Sequence, residues 1–264
     1  MFPCKEALVT GAGRGLGRAF AEALLAEGVT VWGTSRSGNA LPAGVRPLRL
    51  DLASPASVAA LAEQLRREAP ALDLLVNNAG AGVFCPFAHF PEESLDAQWQ
   101  VLLAGPVSLC RAFYPAFAER GRGTIVNVAS LAGVFPIPFM SAYSAAKAAL
   151  STFSKTLMLE ADGSGVAVVD FQPGDYATGF NDAMAEPPVP DDARLRRARA
   201  AAERHFVNGP LPQHAARRLM RAIRSERSGT VVSGNFFEAT LGPLAARLLP
   251  QAVVRRILRI FYNL

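Results

Sequence analysis

"ALVTGAGRGLGRAFAEALLAEG", residues 7–28, decides how this chain folds. A short apolar run ends at Thr10, glycines follow at 11, 13, 15 and 17, and apolar residues then recur at helical spacing. An apolar run bounded by a turn reads as a buried strand, and the spacing after it reads as a helix. Gly11, Gly13, Gly15 and Gly17 permit a tight turn and a close approach of backbone amides to a ligand. The positive end of the helix then attracts an anion, and a pyrophosphate suits both features. Strand, glycine turn and helix in that order are what a dinucleotide site requires, with Arg14 and Leu16 inside the turn.

The same alternation continues outward. Apolar runs at 6–10, 30–34, 46–50, 72–76, 124–128, 166–170 and 230–234 are separated by helical patterns near 15–27, 55–69, 94–119, 141–161 and 211–226. Strands apolar on both faces and divided by helices form a parallel sheet covered on both sides. Right-handed crossovers then wind the chain twice around the sheet. The expected fold is α/β: one Rossmann-like, doubly wound domain over residues 1–264, a seven-stranded parallel sheet flanked by helices on both faces. Residues 180–206 break the rhythm, with a proline cluster and a basic helical pattern but no strand. An insertion of that length is expected to act as a substrate lid over about 180–210.

The second strand, "VTVWGTSR", bears on the choice of dinucleotide. An acid near its end would hold a ribose 2′-hydroxyl, as NAD sites commonly do. Here Ser35 and Arg36 stand there instead, with Arg14 nearby in the glycine turn. Two guanidiniums and a hydroxyl suit a 2′-phosphate, so NADP(H) is expected over NAD(H).

"YSAAK", 143–147, places Tyr143 and Lys147 at i and i+4, on one face of one helix. Ser130 follows a strand upstream. A tyrosine near pKa 10 is a poor acid or base at neutral pH. A neighbouring ammonium and a cationic nicotinamide would favour its phenolate. A serine hydroxyl can hydrogen-bond an oxygen on which charge develops. Taken alone, a Tyr-x-x-x-Lys pair is an ordinary helix face; joined to Ser130 and the glycine turn, it reads as a proton-transfer site.

Taken together, "TGAGRGLG" (10–17), "DL" (51–52), "NNAG" (77–80), Ser130 with "YSAAK", and "PGDYAT" (173–178) resemble the short-chain dehydrogenase/reductase family, in its smaller single-domain subtype, over essentially the whole chain. The resemblance implies that Asp51 and Leu52 border the adenine. It implies that Asn77, Asn78, Ala79 and Gly80 steady the central strand and line the cofactor ribose. Pro173, Gly174 and Thr178 would meet the nicotinamide. Tyr143 would be the acid/base, Lys147 would bind the nicotinamide ribose and lower the tyrosine pKa, and Ser130 would orient the substrate oxygen. It further implies reduction of a carbonyl or oxidation of a secondary alcohol by hydride transfer, in a homodimer or homotetramer.

One position departs from the family's pattern. The asparagine of its "N-x-x-G" stretch, associated with a water that leads protons from the lysine, falls on Leu102, three before Gly105. No asparagine occurs between Asn78 and Asn127. Either the proton relay is slower or rerouted, or the chemistry relies on it less; the rival reading is a cofactor-binding regulatory or atypical family member with a weakened relay.

Loops leaving the strand ends make the expected pocket apolar, through Phe84, Leu131, Phe135, Phe139 and Tyr176, and supply no lysine or arginine to clamp a carboxylate. A hydrophobic carbonyl or alcohol compound fits such a pocket. The tail "QAVVRRILRIFYNL" reads as an amphipathic helix over about 251–262, with Val253, Val254, Ile257, Leu258, Ile260 and Phe261 on one arc and Arg255, Arg256 and Arg259 opposite. Packing on the protein body or on a second subunit is the preferred reading of that helix, and contact with an anionic membrane is the other.

Charge divides unevenly. Residues 1–190 carry 13 basic and 17 acidic side chains, a balance of −4, whereas residues 191–264 carry 14 and 5, a balance of +9. No aromatic-basic interleaving suggests nucleic acid. Charges or prolines interrupt every apolar run before it reaches the length of a membrane span. The N-terminus lacks the order of a signal peptide. Cys4, Cys85 and Cys110 lack the spacing of a zinc site or a disulfide framework, which points to a reducing cytoplasm and no metal. His89, His205 and His214 are isolated and read as surface or lid residues.

Overall fold

A computed structural model describes residues 2–180, 184–235, 240, 242, 245 and 248–264. Seven strands form one parallel sheet: β1 (Glu6–Val9), β2 (Thr30–Ser35), β3 (Arg46–Arg49), β4 (Leu74–Asn77), β5 (Gly123–Val128), β6 (Val166–Pro173) and β7 (Gly229–Ser233). Their order is β3-β2-β1-β4-β5-β6-β7, every neighbouring pair parallel. The doubly wound α/β expectation is met. The order reverses between β1 and β4, and a crevice opens at such a switch point beyond the strand ends.

The period of two along each strand sorts its side chains between two cores. Ala7, Val9, Leu74, Val76, Val126 and Val169 meet α1 (Gly15–Ala26) and α7 (Pro212–Arg224). Leu8, Leu75, Ile125 and Val168 face the other way, against α2 (Pro55–Glu68), α4 (Gly105–Glu119) and α5 (Ser141–Glu160). Both faces of the central strands are buried, which is why they read as unbroken apolar runs.

The expectation that charges or prolines interrupt every long apolar run needs correction. The pattern at 94–119 forms α3 (Glu92–Trp99), a π turn over Gln100–Ala104, and α4. Pro106 and Pro115 do not interrupt it, so Glu92–Glu119 is long and apolar enough to cross a membrane by length and composition, with a mean hydropathy of 1.4 over an 18-residue window within it. The widened π turn lies where the ring of Pro106 would otherwise meet the carbonyl of Leu102. Its apolar face is occupied: Leu102, Leu109, Cys110, Phe113 and Phe117 are buried in the domain.

Of the expected lid segment, α6 (Ala193–Val207) is the basic helix, capped by Asp192, whose carboxylate accepts from the Arg194 amide at 2.7 Å. Residues 181–183 of that segment lie outside the described residues. The tail forms α8 (Gln251–Phe261). Its inner side chains Leu258 and Phe261, with buried Tyr262, pack towards Ala201, Ala202 and Phe206 of α6. His205 stacks on Phe261 with ring centroids 3.9 Å apart. Arg197 donates to the Asn263 carbonyl at 3.2 Å. Packing on the protein body, the preferred reading of the tail, is therefore seen on one side of the helix.

Candidate active site

The glycine turn is fixed by close contacts. The Gly11 amide donates to Thr34 Oγ1 at 3.2 Å and the Ala12 amide to the Thr34 carbonyl at 3.0 Å, which holds the turn on β2. Gly11 and Gly15 adopt positive φ, +67° and +54°. At Gly17 a Cβ would stand 2.2 Å from the Gly11 carbonyl oxygen and 2.3 Å from Asn78 Nδ2, so α1 reaches the turn only without a side chain there. Gly13 lies beside the Ala40 carbonyl. The Asn78 side chain donates to the Thr10 carbonyl at 2.9 Å, and the amides of Asn78 and Ala79 donate to Thr10 Oγ1 at 2.9 and 3.0 Å. "TGAGRGLG" and "NNAG" thus form one backbone cradle, the shape a pyrophosphate with its ribose needs.

The other cofactor candidates fall around this cradle. Arg14 is the exposed N-cap of α1, Arg36 is exposed just beyond β2, and neither makes an ion pair among the described residues. Ser35 Oγ donates to the Asn39 carbonyl at 2.9 Å. Asp51 is exposed and accepts from the Ala53 amide at 3.0 Å, whereas the Leu52 side chain is buried against Gly105. Leu52 can therefore present only backbone to an adenine. Gly80 sits over Leu102. At the far end, the Gly174 amide donates to the Ser233 carbonyl at 2.7 Å, and Thr178 packs against Gly15, which joins the "PGDYAT" loop to the glycine turn.

Ser130, Tyr143 and Lys147 come together as the spacing suggested. Ser130 accepts from the Ala132 amide at 3.0 Å, donates to the Pro173 carbonyl at 3.5 Å and lines one cavity with Tyr143. Lys147, 4% exposed, donates to the Val128 carbonyl at 2.6 Å and lies 5.9 Å from the Tyr143 ring centroid. Burial pushes Tyr143 up to about 12, with the Ser130 hydroxyl opposing and the Asp175 charge adding to the rise. Burial brings Lys147 down to about 8, while the Asp170 carboxylate acts to raise it. Among protein groups, the depression of Tyr143 expected from Lys147 is not found. The ammonium is held by a backbone carbonyl rather than at the phenol.

Beneath these residues lies a polar layer that spacing alone did not reveal. Asn77 Nδ2 donates to Asn127 Oδ1 at 2.8 Å, and Asn127 Nδ2 to Ser154 Oγ at 2.9 Å. Buried Asp170 accepts from Ser151 Oγ and Gln172 Nε2, each at 2.7 Å. The signal was present as polar residues inside apolar strands, but their partners are distant in sequence.

A cavity of about 210 Å³ opens above Ser130, Tyr143, Pro173 and Gly174. Leu131, Phe135 and Tyr176 line it as expected. Phe84 and Phe139 do not: they pack on each other, centroids 5.8 Å apart, in a cluster with Met140 and Met184. Phe139 takes φ +64°, and a loop carries no period to say which way such a ring turns. Leu16 lines the cavity, as do residues the sequence did not single out for it: Met140, Phe180, Phe206 and the tail residues Leu249, Val254, Ile257, Leu258, Phe261 and Tyr262. His214 also differs from a plain surface residue, since its Nδ1 lies 2.9 Å from the Tyr176 hydroxyl, which is 2.5 Å from Ser233 Oγ. Among the described residues no cluster of His, Cys, Asp and Glu could hold a metal ion.

The family model for short chain dehydrogenases matches residues 5–188. The chain belongs to that family. This short-chain dehydrogenase is 37% identical over 175 residues to a 3-ketodihydrosphingosine reductase of Bacteroides thetaiotaomicron, a stretch covering 66% of this chain and 65% of the relative, so it spans less than two thirds of that protein. A solved short-chain dehydrogenase from Streptomyces avermitilis superposes with a TM-score of 0.81 at 30% identity, covering 96% of this chain and 97% of the other. A Burkholderia phymatum member solved with NAD covers 98% of this chain and 95% of its own, at 26% identity and a TM-score of 0.79. A metagenomic member was solved with NADP. Short-chain dehydrogenases are oxidoreductases, and relatives of this one bind NAD or NADP.

Proposed function

We propose that this dehydrogenase uses NADP(H) to reduce the carbonyl of a hydrophobic small molecule, or to oxidise the corresponding secondary alcohol. The observation that carries the reading is the convergence of Ser130 and Tyr143 on one apolar cavity beside Pro173 and Gly174. The cradle of Gly11, Gly17 and Asn78 fits a dinucleotide, because it leaves backbone close to the ligand where side chains would intrude. When bound, the nicotinamide supplies the hydride that adds to the carbonyl carbon. Tyr143 gives its phenolic proton to the carbonyl oxygen, so the C=O bond becomes CH–OH. Ser130 donates a hydrogen bond to that oxygen as negative charge builds on it. Lys147, on α5 with its ammonium at the end of β5, would hold the nicotinamide ribose. Exposed Arg14 and Arg36, without an ion pair among the described residues, support the choice of the 2′-phosphorylated cofactor.

Three buried free thiols are compatible with a reducing cytoplasm, which we include in this reading along with a homodimer or homotetramer. The test is NADPH oxidation across a panel of hydrophobic ketones, alongside Tyr143→Phe. Turnover is expected with the natural chain and a loss of about a thousandfold or more in the variant, with NADPH affinity unchanged. Leu102, buried where the family's asparagine stands, favours the rival reading of a cofactor-binding regulator. NADPH binding without turnover on any ketone would establish that rival.

A further inference from the structure

The apolar arc of α8 is wider than the surface it packs on. At about 100° per residue, Phe261, Val254 and Leu258 occupy one half of the arc, and Ile260, Val253 and Ile257 the other. The first half faces α6 and the cavity. The second half faces out: Val253 is 42% exposed, Ile257 45% and Ile260 70%. Leu248, 73% exposed, and Leu249, 37%, extend the apolar surface just before the helix. Ile257 and Leu249 belong to both surfaces, because each lines the cavity and also reaches the exterior. The mouth of the cavity therefore opens on this patch.

We propose that α8 and residues 248–249 dock on an anionic lipid bilayer, and that the substrate is a bilayer-resident amphiphile whose carbonyl reaches Tyr143 through that mouth. Charge selects this occupant. Arg255, Arg256 and Arg259 are exposed on the helix, and residues 248–264 contain no acidic side chain. A second copy of α8 laid across the first would bring like charges together, whereas anionic headgroups would meet the arginines while Ile260 and Val253 enter the acyl boundary. Docking stands on this geometry alone; the choice of substrate rests on the proposed ketone reduction.

The test is sedimentation of the full chain with vesicles of phosphatidylcholine alone or of equal parts phosphatidylcholine and phosphatidylglycerol. Binding only to the anionic vesicles is expected, weakened about tenfold by Ile260→Ser and roughly a hundredfold by the triple change R255Q/R256Q/R259Q. Absence of binding, equal binding to both vesicles, or a concentration-dependent dimer abolished by Ile260→Ser would each overturn it. A second arm follows NADPH oxidation with a long-chain ketolipid in vesicles and with a short soluble ketone. The triple variant is expected to lose the anionic-lipid stimulation and keep the soluble rate. An unstimulated natural chain overturns the substrate half. Failure of both ketones indicts the proposed reduction itself, and sedimentation still judges docking.

Discussion

The ammonium of Lys147 lies 2.6 Å from the carbonyl oxygen of Val128, the last residue of β5. This contact turns the end of a core strand into part of the site. It also buries a charge, and the burial holds Lys147 at about 8 rather than 10.5.

Stability should therefore depend on pH through this lysine. Below about 8 the folded chain carries a buried ammonium and the full desolvation penalty. From about 8 towards 10.5 the unfolded chain binds the extra proton, so this group's contribution rises with pH. Cys4 and Cys110, raised to about 12 by burial, act oppositely above 9. Urea unfolding of the natural chain and Lys147→Met, compared between pH 7.5 and 9, should show the natural chain gaining relative to the variant. Asp170→Asn should lower the Lys147 pKa further and move the start of the gain to lower pH.

Gly17 predicts a steric failure. Gly17→Ala places a methyl group against the Gly11 carbonyl and Asn78 Nδ2, both fixed by neighbouring hydrogen bonds. A loss of about 1–3 kcal/mol is expected in thermal or urea unfolding. Calorimetry should show weakened binding of both NADPH and NADH, since the distorted part is common to the two.

Arg14 and Arg36 predict a selective one. Each replacement by alanine should weaken NADPH by about tenfold and leave NADH nearly unchanged. Because both side chains are exposed, raising the salt concentration should narrow the natural chain's preference. Equal losses for the two dinucleotides would remove these arginines from the 2′-phosphate.

The sequence carried most of this architecture because most of it is periodic. Each strand shows in runs such as "TIVNV", and Tyr143, Lys147 and Ser130 lie close enough in the chain for spacing to place them. What escaped is non-local or aperiodic. The π turn at 100–104 adds its extra residue inside an otherwise helical pattern. Phe84 and Phe139 sit on loops, where no period assigns a side. The arc of α8 was visible, but not that half of it would wall a cavity built in part by the loop after β5 and by α5.

Leu102 bears on how Tyr143 regains its proton. It is fully buried beside Gly80, in the π turn. If proton return limits the rate, turnover of the natural chain should carry a solvent deuterium isotope effect that Leu102→Asn reduces. The polar replacement should also lower stability by about 1–3 kcal/mol, which unfolding curves would read separately.

The proton-handling groups come from α5 and the loop after β5, while much of the cavity's outer wall comes from Phe206 and the tail. Chemistry and choice of molecule are thus written in different stretches of the polypeptide. Residues 193–264 could be exchanged between relatives to trade one clientele for another, leaving the reaction as it is.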